Sequence, residues 1–82
     1  MSYEKVEQGL NPFIGVKQTL KALDNDFVSE LVIASDADSR IVNQAELKAQ
    51  AKRIPIVYVD SMKKLGKACG IDVGAATVAL RK

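Results

Sequence analysis

Two cationic side chains and an amide recur within about one helical turn near the start of the chain. Lys17, Gln18 and Lys21 follow Gly15 closely, and they fall on one side of a helix with roughly 100° per residue. Ammonium groups bind phosphate oxygens, and both lysine and glutamine can hydrogen-bond to base edges. A helix start behind a glycine also exposes backbone N–H groups that favour anions. The segment is therefore equipped to bind a phosphodiester, although lysines on an exposed helix face are more often simply solvated.

Two carboxylates form a second candidate site. Asp36 and Asp38 follow the apolar run at residues 31–34, and such a pair can bind a metal or carry out acid/base chemistry. The same residues can instead support the start of the next helix, with Ser39 as N-cap and the acids complementing the helix dipole. Because no third ligand or basic partner lies nearby in the sequence, we favour the structural interpretation.

Residue usage restricts the remaining chemistry. The 82-residue chain contains no histidine and a single cysteine, Cys69, so an intramolecular disulfide is excluded and a zinc site lacks a credible ligand set. We expect no catalytic residues, no metal and no cofactor. The pair Gly66-Lys67 lacks the following Ser or Thr and the preceding glycine of a P-loop, and a small nucleotide-binding α/β protein is therefore a weak alternative.

Charge is distributed unevenly although the net charge is only +2. Acidic residues concentrate between residues 24 and 38, whereas lysines concentrate at 17–21 and 63–67. If the two basic stretches meet in space, they form one cationic patch; scattered, solvated charge is equally compatible with the composition. The longest apolar run is too short to span a membrane, and residues 1–10 have no signal-peptide pattern. We expect a cytoplasmic protein without membrane contact.

The elements that must position these residues alternate between helix and strand. Val16, Leu20 and Leu23 recur at i, i+4 and i+7, which predicts the buried stripe of a helix. The first predicted helix is capped by Ser2, has Tyr3, Val6 and Leu10 on one face, and ends at residues 9–12. The elements predicted after it are an extended segment at 13–14, a helix from 15 or 16 to about 24, a strand at 31–34, a helix at 40–53, a strand at 54–59, a helix at 62–69 and a strand at 75–80. Ser61 and Gly70 bound the helix at 62–69. The strand, helix and strand between residues 31 and 59 form a βαβ unit.

This order of elements predicts an α/β protein. We expect a three-layer α/β/α sandwich around a small mixed four-stranded sheet, with all 82 residues in a single domain.

Several separate motifs together resemble a known family. Residues 61–76, with 15–21, 33–38 and 54–55, are similar in order and spacing to the L-seven-Ae type ribosomal proteins that bind kink-turn RNA. The resemblance covers almost the whole chain, and its short length and Lys17-Gln18 pair are most like the small bacterial members. It implies a non-enzymatic protein that recognises sheared G·A pairs and bulged nucleotides and stabilises the bend of the RNA. The implied partner is a structured RNA with a kink-turn, in the ribosome or elsewhere, and we expect a monomer.

The resemblance also implies which residues contact the RNA. In the family, the helix that opens with the glycine motif contacts guanine edges beside the G·A pairs, and the loop before the last strand covers nucleotides forced out of the stack. The matching residues are Gly15, Lys17, Gln18 and Lys21 in the helix and Ile71, Asp72 and Val73 in the loop. Lys64, with Lys63 and Lys67, suits phosphate contacts because of its charge.

One pair departs from the family pattern. Many members carry Asn-Glu where this chain has Lys17-Gln18. A glutamate accepts two hydrogen bonds from guanine N1–H and N2–H₂, whereas the Gln18 carbonyl offers one oxygen. We therefore expect weaker base discrimination and a stronger phosphate contribution from Lys17. A protein-binding adaptor on the same fold is the alternative function, and four aromatic residues with no cluster in the sequence disfavour an aromatic stacking platform.

Overall fold

The computed structural model describes residues 3–9 and 11–82 of the chain. The elements in this part of the chain are α1 (Tyr3–Gln8), β1 (Phe13–Ile14), α2 (Val16–Asp24), β2 (Val28–Ala34), α3 (Ser39–Ala51), β3 (Ile56–Val59), α4 (Met62–Ala68) and β4 (Thr77–Arg81). Ser2 and Leu10, the expected cap and last apolar residue of the first helix, lie outside the described residues. None of the described helices combines the length and apolar character needed to cross a membrane.

The strands form a mixed sheet in the order β1-β4-β2-β3. Strands β1 and β2 are antiparallel to β4, and β3 is parallel to β2. Strands β1, β2 and β3 therefore run in one direction, and β4 runs in the opposite direction.

Alternate residues of β2 face different helical layers because side chains alternate along a strand. Leu31 and Ile33 pack in one core with α2 and α3, whereas Val32 and Ala34 pack in a second core with α1 and α4. Both faces of the strand are therefore covered, which explains its uninterrupted apolar run. The predicted α/β/α sandwich around a mixed four-stranded sheet is confirmed.

Strand β2 begins at Val28, three residues before the predicted start. Its first residues pair with the end of β4, where Val28 lies opposite Arg81 across an irregularity in the ladder. The Ser29 hydroxyl contacts the carbonyl oxygens of Leu80 and Arg81 at 3.2 and 3.0 Å. The start of β2 is therefore set by its pairing with β4. The polar residues Ser29 and Glu30 interrupt the apolar pattern, so the sequence does not indicate this start.

The connection between α3 and β3 also differs from the prediction. Helix α3 ends before Arg53, which has a φ of 58° in the left-handed region that terminates helices. The Ile54 N–H then donates to the Ala49 carbonyl at 2.8 Å. Ile54 and Pro55 therefore belong to the exit from the helix, and β3 begins only at Ile56.

The last helix and strand are each slightly shorter at one end than expected. Helix α4 begins after its predicted cap Ser61, and Gly70 follows its end with a φ of 79°, as expected for a glycine beyond a helix terminus. The N–H of Ala75 donates to the Met62 carbonyl of α4 at 3.0 Å. Strand β4 consequently begins at Thr77, two residues later than predicted.

Candidate nucleic-acid interface

One end of the sheet collects the starts of several helices. Strands β1, β2 and β3 run in the same direction, so α2, α3 and α4, which follow them, begin at the carboxyl end of these strands. Strand β4 runs the other way and also begins there, which brings the loop at residues 70–76 to the same end. In open α/β sheets, ligands bind at this end of the strands.

The start of α3 is capped by an acidic side chain. Asp38 accepts a hydrogen bond from the Arg40 N–H at 2.9 Å, and the Arg40 guanidinium pairs with the same carboxylate at 2.9 Å. These hydrogen bonds hold the pKa of Asp38 below its usual value. The N-cap is thus Asp38, and the prediction of Ser39 as N-cap is wrong by one residue, because Ser39 is already helical and the Asp38 carboxylate accepts from the second helical residue, Arg40.

The start of α4 is also capped by side chains. Ser61 accepts from the Lys64 N–H at 3.2 Å, and Asp36 accepts from the Met62 N–H at 2.8 Å. Asp38 thus supports the helix that follows it, as expected, whereas the expectation that Asp36 supports the same helix is wrong because its carboxylate accepts from the start of α4. The described residues contain no group of three or more His, Cys, Asp or Glu side chains suited to a metal ion.

Helix α2 begins without such a cap. Its N-cap is Gly15, with φ 92° and ψ 162°, and no side chain of the described residues hydrogen-bonds to the helix start as a cap. The N–H groups of Val16, Lys17 and Gln18 belong to the first turn, where the helix itself provides no acceptors. The Lys17 and Gln18 side chains are exposed beside them. We call Gly15, Lys17 and Gln18 the α2 start.

A glycine is required at position 15 because of its backbone conformation, and not because neighbouring atoms leave no room for a side chain. Its φ is unfavourable for residues with a side chain, whereas a Cβ built there has no described atom within 4 Å. The position that a Gly15 side chain would occupy is thus not filled by any described residue beyond its chain neighbours.

A buried pair of threonines joins α2 to β4. The Thr77 hydroxyl donates to the Thr19 hydroxyl at 3.0 Å, and both residues are fully buried. The Gly15 N–H donates to the Thr77 carbonyl at 2.9 Å. Thr19 lies four residues before Leu23 and so shares its buried helix face, a spacing that is visible in the sequence but was not among the predicted buried positions.

The loop before β4 packs directly on α4. A Cβ at Gly66 would lie 1.9 Å from the Val73 carbonyl oxygen, so only glycine allows the observed contact. The Ile71 N–H donates to the Gly66 carbonyl at 3.1 Å, which fixes the start of the loop. A glycine inside a helical pattern can indicate such close packing. From the sequence, however, Gly66 was considered only as part of a nucleotide-binding motif.

The loop residues predicted to contact RNA differ in exposure. Val73 is 70% exposed and Asp72 is exposed, whereas Ile71 is half-buried. Gly74 lies at most roughly 11 Å from Thr77 because three Cα steps separate them. Since the Thr77 carbonyl accepts a hydrogen bond from the Gly15 N–H, this loop and the α2 start lie at the same end of the molecule.

The sequence matches the family model described as the Ribosomal protein L7Ae/L30e/S12e/Gadd45 family over residues 4–82. The protein belongs to this family. An RNA-binding protein of Halalkalibacterium halodurans is 68% identical over 82 residues, and the alignment covers 100% of both chains. An RNA-binding protein of Geobacillus stearothermophilus is 50% identical over 80 residues, with 98% of each chain covered. The resemblance to the L-seven-Ae type proteins is thus confirmed.

Solved structures show the same fold. The Giardia lamblia 15.5kD RNA binding protein superimposes with a TM-score of 0.84 at 26% identity, covering 98% of this chain and 68% of that chain. A protein of unknown function from Bacillus halodurans gives a TM-score of 0.83 at 21% identity, covering 98% of this chain and 80% of that chain.

The lysines of this L7Ae family protein lie on both faces of the sheet. Lys17 and Lys21 are exposed on α2, whereas Lys63, Lys64 and Lys67 are exposed on α4, and these helices cover opposite faces. The two basic stretches therefore lie on opposite faces of the sheet, although α2 and α4 begin at the same end of it.

Lys64 has an acidic neighbour. Its ammonium lies 3.5 Å from the Asp60 carboxylate in an exposed ion pair. The Tyr3 hydroxyl, which hydrogen-bonds to Asp60, is the main reason that the pKa of this carboxyl group lies below its usual value, and Lys64 contributes in the same direction. Because exposed ion pairs are weak, Lys64 can exchange this partner for a phosphate at little cost.

Proposed function

We propose that this protein binds structured RNA that contains a kink-turn and stabilises the bend. Membership of the L7Ae family and its relatives named as RNA-binding proteins support an RNA ligand. The observation that carries the proposal is the contrast between helix starts at one end of the sheet. Helices α3 and α4 are capped by side chains, whereas the α2 start has no side-chain cap from the described residues and carries the exposed Lys17 and Gln18.

The α2 start supplies the contacts that recognise base edges. The Lys17 ammonium can donate to guanine O6 and N7 or to a phosphate, and the Gln18 amide can both donate and accept. The first-turn N–H groups, which have no acceptor within the helix, and the dipole of α2 add an attraction for negative charge. Lys21, one turn further along, extends the cationic side of the helix. The glutamine in place of an acid leaves one acceptor oxygen for guanine, so selectivity depends more on the shape of the RNA.

The loop supplies an apolar surface beside these polar groups. In the proposed complex, Ile71 and Val73 cover a nucleotide that the bend has forced out of the stack, and Asp72 lies between them. The loop is suited to this task because its contacts with Gly66 hold it on α4 before RNA arrives. Lys64, in the first turn of α4, contacts the phosphate backbone and contributes affinity rather than sequence preference.

The proposed role is recognition and stabilisation of RNA without a catalytic step. The protein acts as a monomer in the cytoplasm, and ribosomal RNA is one source of the kink-turn. A bent RNA is stabilised because the α2 start and the loop contact groups that lie together only after bending. Binding selects the bent conformation by its higher affinity for that state.

An electrophoretic mobility-shift assay tests this function. The two RNAs are a kink-turn hairpin and the same hairpin with its G·A pairs replaced by Watson–Crick pairs, at fixed salt. We expect at least tenfold tighter binding to the kink-turn. Equal affinity for the two hairpins would refute kink-turn recognition, whereas binding to neither would refute RNA binding altogether.

A further inference from the structure

A small cleft beside α2 contains groups that the contacts proposed above do not use. It has a volume of about 210 Å³ and lies against the exposed side of the helix. Its lining consists of Phe13, Gln18, Lys21, Ala22, Asn25 and Phe27. We call these six residues the aromatic cleft. Gln18 belongs both to the cleft and to the α2 start, so the two surfaces are continuous.

The floor of the aromatic cleft is a pair of rings that are distant in sequence. Phe13 and Phe27 are stacked, with ring centroids 6.4 Å apart and ring planes inclined by 12°. The Arg81 guanidinium lies 4.2 Å from the Phe13 centroid, and its Nε donates to the Asn11 carbonyl at 2.6 Å. The fold thus brings together two aromatic residues, Phe13 and Phe27, that are separated in the sequence.

Phe27 offers an open ring on a fixed backbone. The residue is 52% exposed. Its N–H donates to the Ala22 carbonyl at 3.1 Å, and its carbonyl accepts from the Lys82 N–H at 3.0 Å. The backbone of Phe27 is therefore held on both sides, and a ligand that stacks on the ring does not have to order the backbone first.

The wall of the aromatic cleft is polar and carries positive charge. Gln18, Lys21 and Asn25 follow one another at i, i+3 and i+7, which places them along one side of the helix. The Asn25 amide nitrogen donates to the Lys21 carbonyl at 3.0 Å, which orients this side chain. None of the residues that line the cleft is acidic.

The carboxylates on either side of Asn25 are engaged elsewhere. Asp24 pairs with Lys48 and Asp26 pairs with Lys52, each at 2.6 Å, and both lysines lie at the end of α3. Their charge is thus partly compensated on the α3 side. A ligand at the cleft therefore meets Lys21 and amides rather than an unpaired acid, and an anionic ligand is favoured.

We propose that the aromatic cleft binds one unpaired nucleobase of the RNA held at the α2 start. This proposal rests on the proposed function. In this complex the base stacks on the ring of Phe27. Its polar edge faces the amides of Gln18 and Asn25, and its phosphate contacts Lys21. The volume is below the roughly 300–1,000 Å³ of sites for drug-sized ligands, which suits a single ring system. Since Gln18 borders both surfaces, this base belongs to a nucleotide next to those that the α2 start contacts.

A Phe27→Leu variant tests the stacking contact because leucine keeps an apolar side chain and removes the aromatic face. Phe27→Tyr restores a ring, and Leu47→Ala removes a similarly exposed side chain from α3 as a matched control. The full-length proteins are titrated with a kink-turn hairpin that carries unpaired nucleotides on both sides of the G·A pairs. 2-Aminopurine is placed at one unpaired position at a time. A second hairpin has the same kink-turn with these added nucleotides removed.

We expect one 2-aminopurine position to be quenched by the wild type and by Phe27→Tyr but not by Phe27→Leu. The dissociation constant of Phe27→Leu should rise about five- to tenfold for the extended RNA and remain unchanged for the shorter RNA, as expected for one lost stacking contact. The Leu47→Ala protein should match the wild type with both RNAs.

Two results would overturn the inference while leaving kink-turn binding intact. One is unchanged affinity and quenching in Phe27→Leu; the other is an equal loss for both RNAs, which would show that Phe27 acts only by supporting Phe13 or α2. A melting temperature measured for each variant identifies the second case. If the wild type fails to distinguish the kink-turn from its Watson–Crick counterpart, the proposed function fails, and this inference fails with it.

Discussion

The contact between Gly66 and the loop gives the sharpest prediction, through the substitution Gly66→Ala. The added Cβ would lie 1.9 Å from the Val73 carbonyl oxygen, whereas such atoms essentially never approach within 3.0 Å. Either the loop or α4 must then move by about 1.1 Å, the difference between these distances. The obstacle is backbone on both sides, so no rotation of a side chain relieves it.

The size of the effect follows from opposing contributions. Replacing glycine by alanine inside a helix favours folding by about 1 kcal/mol. The steric overlap costs roughly 1–3 kcal/mol, and the hydrogen bonds from Ile71 to Gly66 and from Ala75 to Met62 each contribute about 1 kcal/mol if they are lost. We therefore expect a net loss of about 1–3 kcal/mol in the free energy of unfolding, with roughly 4–8 °C in Tm for each kcal/mol.

Urea unfolding and RNA titration together measure this prediction. The Gly66→Ala protein should be destabilised and should bind the kink-turn hairpin at least tenfold more weakly under conditions where it is folded, because Ile71 and Val73 have moved. Ala49→Gly in α3 is the matched control: it should lose a similar stability, of about 1 kcal/mol or more, and keep its affinity. A Gly66→Ala protein as stable as the wild type with unchanged affinity would refute the view that this contact positions the loop.

Three further predictions concern the other parts of the site. Thr77→Val should cost about 1–3 kcal/mol of stability because it removes the hydroxyl that donates to buried Thr19, whereas Thr19→Val with Thr77→Val should cost less than the sum of the single changes; additive losses in urea unfolding would contradict a shared hydrogen bond. Lys17→Ala or Gln18→Ala should cost about 1–3 kcal/mol of RNA binding and relax selectivity, whereas Lys64→Ala should weaken all RNAs alike and flatten the salt dependence by about one unit; identical salt slopes and selectivity in the three variants would argue against this division. Burial raises the pKa of the Cys69 thiol, so iodoacetamide near pH 8 should modify the folded protein several-fold more slowly than the urea-unfolded chain, and equal rates would show that the thiol is not protected.

Local periodicity was sufficient to predict most of the fold. The stripe around Leu23 and the apolar run at Leu31 and Ile33 indicated a helix and a doubly covered strand, and both were found. The ends of the strands were harder because they depend on partners far along the chain. Val28 belongs to β2 only because Arg81 lies opposite it, and no local pattern marks that pairing.

The local sequence pattern also indicated the candidate site in outline. Gly15 and the exposed lysines that follow it are visible in the sequence, and their position on a helix start was correct. The absence of a side-chain cap among the described residues at this helix start follows from the arrangement of α2, not from any residue pattern. Contacts such as Phe13 with Phe27 and Gly66 with Val73 join separate elements. They could be identified only once the fold had brought these elements together.

Backbone amide chemical shifts measured during RNA titration test the central claim most directly, because they locate the bound RNA residue by residue. With the ¹⁵N-labelled protein and the kink-turn hairpin, the largest changes should be at the N–H groups of Val16, Lys17 and Gln18 and in the loop at residues 71–73, with small changes at Arg53 and Ile54, which precede β3 at the opposite end of the sheet. The Watson–Crick hairpin should produce weaker changes at the same concentration. Strong changes centred on Arg53 and Ile54, with the α2 start and the loop unaffected, would contradict the assignment of the RNA-binding site to the α2 start and the loop.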